Sequence, residues 1–538
     1  MKLLTHKKLL LILLLPFLSF TLNGQPLLSK YNNRLLITFE SFVYNPDSLF
    51  HTSIRPFMVP ELNSCFRYND NLTSYKINTE SKWKEILLNR NLVKISGKDF
   101  TLNVDPLFDF EYGYDFSQHR SQWRNTRGIL IEGTLGKDFA FSTTVTETQT
   151  RLPLWVMNYI SRRWAVPGQG WFKSYANGTA VDFANASGYI SYSPGKFFNL
   201  RAGHGKNFIG DGYRSLLLSD FSYFYPYFMI TTNFWRIKYF VMYSQFTHPD
   251  LWWNTAGDRV FRKKFSTTHY LSIIPWNKLN ISLFESVIWK PSDSTYHRGF
   301  DMNYLNPFIF FRPVEFNLGS ADNEILGINL RYTPVKNIVL YGQFVLDEFK
   351  FKEFFSDNGW CGNKYAWQTG FRVFDLFGLE NLELSGEFNL IRPYTYSHVT
   401  PEQNWSNARE PLAHPSGANT KEAVAIAKYN YKRLFFSIKY VNSAFGLDSA
   451  NVNFGKNIFA SHQSPTPGEY GNYTLQGLKT RLNQLDFSIN WLVNPATCAN
   501  VFIEYTLRSE KNSRMSNYYS FLNFGIRTSL FNIYYDFY

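Results

Sequence analysis

The sequence predicts an all-β protein: a large transmembrane antiparallel β-barrel of about 16–18 strands with a small N-terminal helical or irregular periplasmic plug segment. Three observations carry this reading. Two-residue alternation of apolar and polar residues recurs along the chain, as at Leu522, Phe524 and Ile526 against Asn523, Gly525 and Arg527. Aromatic residues make up 19% of the 538 positions, with 52 Phe, 35 Tyr and 14 Trp, far more than a soluble sandwich needs at its strand ends. The N-terminus reads as an export signal, while no internal run approaches the roughly 18–20 apolar residues of a spanning helix.

Residues 1–24 form the expected signal peptide. Lys2, Lys7 and Lys8 make a basic start, Leu9 to Phe20 an apolar stretch, and Leu22-Asn23-Gly24 a cleavage region before Gln25. The first cysteine is Cys65, so no lipid-accepting cysteine follows the cleavage point. Cleavage removes three lysines and no acid, lowering the formal charge of +13 by three. An exported chain of this kind is placed in the outer membrane, with outer-membrane lipid as a partner and nucleic acid excluded. Cys65, Cys361 and Cys498 show no C-x-x-C spacing, allow at most one disulfide and spell no zinc site. With no H-E-x-x-H, no calcium loop and ten dispersed histidines, no metal and no cofactor is expected.

Residues 25–104 form the expected N-terminal plug segment. Within it, Glu80 to Asn89 is rich in helix formers, with Trp83, Ile86 and Leu87 toward one side, and it can cover or plug the barrel's lower mouth.

Residues 105–538 form the expected barrel. Alternating segments begin near Leu107, Ile129, Phe139, Gly188, Phe197, Trp235, Tyr270, Leu279, Leu326, Ile338, Tyr365, Leu382, Ala423, Leu434, Leu485, Val501 and Leu522. Short turns such as Pro194-Gly195-Lys196 join some neighbours, whereas 205–232, 290–323, 394–421 and 443–481 are long connections. Short turns are expected on one rim and long loops on the other. The closing residues Tyr534 to Tyr538 resemble the aromatic terminal signal of bacterial outer-membrane barrels. Glu383, Glu387 and Glu504, set against Arg236, Lys238, Arg372 and Arg508, predict a polar lumen of both signs that is filled or constricted.

Several segments have the residue types of binding or chemistry. Gly203 to Gly212 satisfies neither phosphate-binding glycine pattern and reads as a bend leaving a strand. His204, Asp211 and Ser215 have the residue types of a hydrolase triad, yet G-x-S-x-G is absent, so no catalytic residue is assigned and the chain is read as no enzyme. Tyr304 to Phe316, with Arg312 and Glu315, and Gln403 to Asn419, with Trp405 and His414, combine rings with polar groups. A ring stacks on the apolar face of a sugar while Arg, Glu and His bond its hydroxyls, so these loops can grip a polysaccharide. Rigid packing of loops over the barrel mouth is the alternative for both segments. Trp252 and Trp253 suit a membrane belt better than a sugar site.

Four sequence words, Phe50 to Pro56, Arg201 to Asp220, Asn306-Pro307 with Arg312 to Glu315, and Pro411 to Pro415, resemble the RemB gliding-motility proteins. That group is in turn similar to the Wzi capsule-assembly proteins. The resemblance runs from about residue 50 to the end. It implies a barrel with a periplasmic plug and a lectin-like role toward capsular polysaccharide; its words contain His204, Asp211, Arg214, Arg312, Glu315 and His414, which with Trp405 of the aromatic loop are the candidate ligand-binding positions. The expected function is therefore a non-enzymatic barrel that binds or organises surface capsular or exopolysaccharide and supports gliding motility or adhesion. The alternatives are a protein-binding accessory of motility or secretion envelope proteins, and a channel.

Overall fold

The computed structural model describes residues 27–30, 32, 37–66, 74–253, 259–292, 297–310, 322–464 and 466–538. The signal read at 1–24 lies outside them. Eighteen antiparallel strands close into one barrel. They are β1 (Phe100–Asp115), β2 (Arg120–Leu135), β3 (Phe139–Arg151), β4 (Ala180–Tyr192), β5 (Phe198–Gly205), β6 (Tyr225–Phe234), β7 (Ile237–Trp253), β8 (Arg259–Trp276) and β9 (Leu279–Trp289). The circuit continues with β10 (Asn323–Val335), β11 (Ile338–Glu348), β12 (Lys364–Phe374), β13 (Leu382–Ile391), β14 (Thr420–Tyr431), β15 (Leu434–Leu447), β16 (Leu478–Asn494), β17 (Ala499–Lys511) and β18 (Ser516–Thr528). The first strand begins at Phe100, ahead of the boundary expected at 105. β18 pairs with β1, Phe524 opposite Tyr112 and Ile526 opposite Phe110, so no strand is left as an edge.

The alternation that predicts the strands divides their side chains as expected. Leu326, Ile328, Leu330 and Tyr332 on β10 and Phe487, Ile489 and Trp491 on β16 are exposed on the outer wall. Asn329, Arg331, Gln484 and Asn490, one position out of step, are buried in the lumen. Every short turn after an even-numbered strand up to β10, as at 136–138, 235–236 and 336–337, falls on one rim. The long connections fall on the other.

The lumen is filled from both ends of the chain. Helices α1 (Ile37–Val43) and α2 (Val59–Phe66) enclose a cluster of Val43, Phe50, Phe57 and Leu62. Ile54 and Arg55 pair as a short strand with Phe208 and Ile209, which come from the connection between β5 and β6. The wall holds this plug with ions: Arg372 Nη1 is 3.0 Å from Glu40 and 3.3 Å from Glu383, and Lys238 Nζ is 2.6 Å from Glu61. Arg331 donates to Phe50 O at 3.1 Å and to Thr52 Oγ1 at 2.9 Å.

Three details depart from the sequence reading. Helix α3 (Lys82–Asn89) does form, but Trp83 is 79% exposed and the helix sits at the short-turn rim. There Asn494 donates to Ile86 O and Arg90 O, and Arg433 to Leu88 O. Lumen filling falls to 37–66, because those residues have the carboxylates that match the wall's cations. Arg236 is not in the lumen; it lies at the turn, donating to Asn277 Oδ1 at 3.1 Å. The aromatic residues Tyr534 to Tyr538 are not a closing strand. β18 ends at Thr528 and the tail turns up into the barrel, because Asp536 finds Lys439 Nζ at 2.6 Å and Arg508 reaches Phe537 O at 3.0 Å.

Burial pushes the Glu40 carboxyl up, but Arg372 and Lys428 outweigh it and hold its pKa at about 2. A carboxyl with an ordinary value of 4.5 therefore stabilises the docked plug fully above pH 4.5 and loses that contribution as pH falls toward about 2. Amide exchange in residues 37–66, corrected for intrinsic rates, is expected to quicken across that window. Glu40→Gln is expected to flatten most of the response; an unchanged profile contradicts the assignment.

Candidate functional site

The centre of the lumen is organised by the connection 206–224, which leaves β5 at Gly205 and turns inward before returning to β6. Gly212 makes the turn possible by its missing side chain: a Cβ there would stand 2.2 Å from Glu387 Oε2. That space lets Glu387 accept from the backbone N–H of Tyr213 at 2.8 Å and of Arg214 at 3.2 Å. Arg214, 1% exposed, forks onto Glu422 at 2.9 and 3.3 Å and reaches Asp536 Oδ1 of the tail at 3.1 Å. Such bidentate, charge-assisted bonds offset the cost of burying these ions. Burial raises the Asp536 carboxyl, yet Arg214 and Lys439 hold it well below the usual carboxylate range.

His414, on the connection from β13 to β14, lies 2.8 Å from Glu422 Oε1 through Nε2, and its Nδ1 accepts from Ser416 N at 3.2 Å. This is the pattern of a neutral imidazole donating to the carboxylate. Burial lowers its pKa below the ordinary value, against the pull of Glu422. Trp405, fully buried, donates to Leu217 O at 2.8 Å and stands edge-on to Phe246 and Phe284. Ser219 Oγ donates to Ala413 O at 2.5 Å, so two connections from opposite parts of the chain are bolted together. Asp211 ties the inward connection to the plug and to β10, accepting from Thr52 Oγ1 and from Asn329 Nδ2, the latter at 3.0 Å.

The structure thus gathers Arg214 and His414 on Glu422, with Asp211 and Trp405 buried in the same interior. His204 stands apart at the end of β5, half-buried, its Nδ1 2.8 Å from Ala186 O and its ring beside Tyr223 and Phe224. Arg312 and Glu315 lie outside the described residues. Ser215 donates to Ile209 O at 2.5 Å, so Ser215, His204 and Asp211 do not converge. Trp252 and Trp253 are the last residues of β7. Glu422, Glu387, Lys439 and Asp536, which complete the network, are not singled out by any sequence motif; for the first three an ionic residue on the polar face of a strand is the signal, and Asp536, beyond the last strand, has none. Beside the tail lies a cavity of about 270 Å³ between β1–β3 and β16–β18, lined by the polar residues Asp109, Arg124, Glu504 and Arg527 and by rings such as Trp155 and Phe521.

Above this interior, two connections zip together at the long-loop rim. Gly471 N donates to Asn358 O at 3.0 Å, Asn472 N to Gly359 O at 2.8 Å, and Trp360 Nε1 to Glu469 Oε1 at 3.0 Å. Gly359 has φ +69°, and a Cβ there would meet Asn472 N at 2.7 Å. The zipped loops present Tyr470, Tyr473, Phe351 and Phe355 to solvent. The sequence marks 443–481 only as a long connection, because exposed rings have no partner pattern to read.

No family model and no curated protein matches the chain. Among solved structures it is similar to Wzi of Escherichia coli, described as a carbohydrate-binding β-barrel involved in group 1 capsule assembly. That likeness has 11% identity over 94% of this chain and 99% of that one, with a TM-score of 0.52. OprD of Pseudomonas aeruginosa follows at 12% identity, 79% and 94% coverage and a TM-score of 0.41. OccAB2 of Acinetobacter baumannii shows 10%, 79% and 96%, and 0.43. Barrel, closure and apolar outer wall define the chain as a transmembrane β-barrel protein. Within that class its fold is that of the Wzi barrel.

Removing the central cation leaves Glu422 and Asp536 buried without it. Arg214→Ala is expected to cost about 3–5 kcal/mol. Arg214→Lys should recover only part, since an ammonium cannot fork onto a carboxylate. Denaturant midpoints followed by the gel shift between folded and unfolded barrel measure both; equal stability of all three proteins contradicts the role given to Arg214.

Proposed function

We propose that this protein is a non-enzymatic outer-membrane scaffold that binds or organises surface polysaccharide at its long-loop rim. The observation that carries the proposal is the filled lumen: plug, inward connection and tail occupy the path an open pore would need, while the loops above them are held rigidly. A barrel built this way presents a fixed surface and conducts little. The resemblance of the sequence words to the RemB gliding-motility proteins, a group similar in turn to capsule-assembly proteins, supports the same reading, as does the likeness to a carbohydrate-binding barrel.

In this reading the buried residues Asp211, Arg214, Trp405 and His414 hold the loops in place, and exposed rings such as Tyr470 and Tyr473 meet the sugar. Stacking places the apolar face of a pyranose on a ring, and neighbouring amides and hydroxyls bond its rim. Preorganised loops spare the entropy of ordering them on binding.

The test is binding of purified protein to capsular and exopolysaccharides on an array. Loss of one stacking ring is worth about 0.5–1.5 kcal/mol, so Tyr473→Ala is expected to weaken affinity about two- to tenfold. No binding to any glycan, together with steady single-channel conductance in a planar bilayer, assigns the protein to the channel class instead.

A further inference from the structure

The connection between β9 and β10 spans residues 290–322. Its described part, 297–310, folds down the outside of the wall, on the face the membrane covers. The direction is fixed by register. Glu285 on β9 is paired with Leu326 of β10, and Leu283 with Ile328, and Leu326 and Ile328 are exposed on the outer wall. Glu285 is also paired with His269, which is paired with Val241, so these three share that outer face. Thr267, Val287 and Trp289 follow on it, and Tyr239 and Tyr243 flank them.

Polar residues on that face are out of place. Glu285 follows Leu279, the first residue of β9, by six positions; at about 3.3 Å per residue and a tilt of about 40° it stands roughly 15 Å above the short-turn rim. The apolar band of such barrels is about 25 Å tall, so a carboxylate, an imidazole, a phenol and a hydroxyl sit at its middle. Bare hydrocarbon there costs several kcal/mol for each unpaired polar group.

The segment 297–310 supplies the missing partners from its backbone. Phe310 N–H donates to Glu285 Oε2 at 2.6 Å. Pro307 O accepts from Tyr239 OH at 2.7 Å, Leu305 O from Tyr243 OH at 3.1 Å, and Tyr304 O from Thr267 Oγ1 at 3.1 Å. Tyr239 OH also bonds His269 Nδ1. The upper end is pinned by rings and ions: Tyr304 packs on Trp289 with centroids 4.7 Å apart, Phe300 on Phe265 and Trp289, and Arg298 pairs with Asp301 and Asp322. Glu285, His269, Thr267 and Val287 are each at most 1% exposed under this cover. The outer surface of the cover is mainly apolar: Met302, Phe308 and Phe310 are 63–74% exposed, and His297 and Asn303 are the exposed polar residues within 297–310.

We propose that residues 297–310 are a membrane-immersed flap, and that the occupant of its exposed apolar face is the acyl chains of the outer leaflet. The flap's inner backbone satisfies the polar stripe on β7–β9, and its outer side chains restore the greasy surface that the stripe interrupts. Its apolar face is continuous with the lipid-facing residues Leu326, Ile328 and Leu330 beside it. The inference rests on the barrel spanning the membrane and not on what the loops bind.

Spin labels decide the matter. In a background with Cys65, Cys361 and Cys498 replaced by serine, nitroxides are placed by Phe308→Cys, by Ile328→Cys on the bare wall and by Ser513→Cys at the exposed turn after β17. The full-length barrel is reconstituted in phosphatidylcholine vesicles, and collision with oxygen and with a water-soluble nickel chelate is measured by power saturation. Oxygen is expected to exceed nickel at 308, as at 328, with the order reversed at 513. Nickel exceeding oxygen at 308 while 328 stays lipid-exposed overturns the flap and leaves the barrel intact. The gel shift of each labelled protein shows that it is folded before it is measured.

Discussion

A sheet surrounded by hydrocarbon has no water to satisfy its unpaired backbone, and this constraint shapes the rest of the molecule. β18 must find β1, and it does so over Phe521 to Arg527. Once the ladder is closed, outward and inward faces follow from a period of two, and a shift of one residue would put Arg527 in lipid and Phe524 in the lumen. Closing eighteen strands also creates an interior far too wide for wall side chains to fill. The plug, the inward connection and the tail answer that space.

Filling an interior lined with Arg, Lys and Glu raises a second requirement, since each desolvated ion needs a counter-ion. The three inserts meet it differently. The plug brings Glu40 and Glu61 to Arg372 and Lys238, the tail brings Asp536 to Lys439 and Arg214, and the inward connection brings Arg214 itself to Glu422. Arg214 is therefore the point at which tail, wall and inward connection are joined. The interior is organised by charge pairing beside an apolar cluster that includes Leu216, Leu217, Leu218 and Trp405, and the charge pairs make its geometry specific.

The wall was legible in the sequence because its rule is local: alternation at Leu522 to Ser529 or Leu485 to Val493 reports facing without knowledge of the partner strand. The interior was legible only in part. Glu383, Glu387, Arg372 and Arg508 could be placed in the lumen by their positions on alternating strands. Their partners Glu40, Gln484 and the tail are far away in sequence, and no period announces them. The terminal aromatics misled for a related reason: Tyr534 to Tyr538 have the composition of a strand end, but what places them is the single charge of Asp536. Arg214 was picked out by resemblance and His414 by its ring-rich loop as well, and only the fold shows that Glu422 lies between them.

The outer wall of β7–β9 extends the same physics to the other side of the barrel. Alternation there predicts lipid-facing residues, and the sequence instead supplies Tyr239, Thr267, His269 and Glu285. A local rule that fails at several neighbouring positions points to an additional layer, just as a run of inward charges points to a plug. Segment 297–310 is that layer, its amides and carbonyls turned to the wall and Met302, Phe308 and Phe310 turned away. Polar groups inside the barrel are matched by side-chain ions as well as backbone, and those at the middle of the outer wall mainly by the backbone of the segment over them. The difference follows from surroundings: an ionic partner at mid-wall would itself face hydrocarbon, whereas the backbone donor of Phe310 spent on Glu285 leaves the rings of Phe308 and Phe310 exposed there.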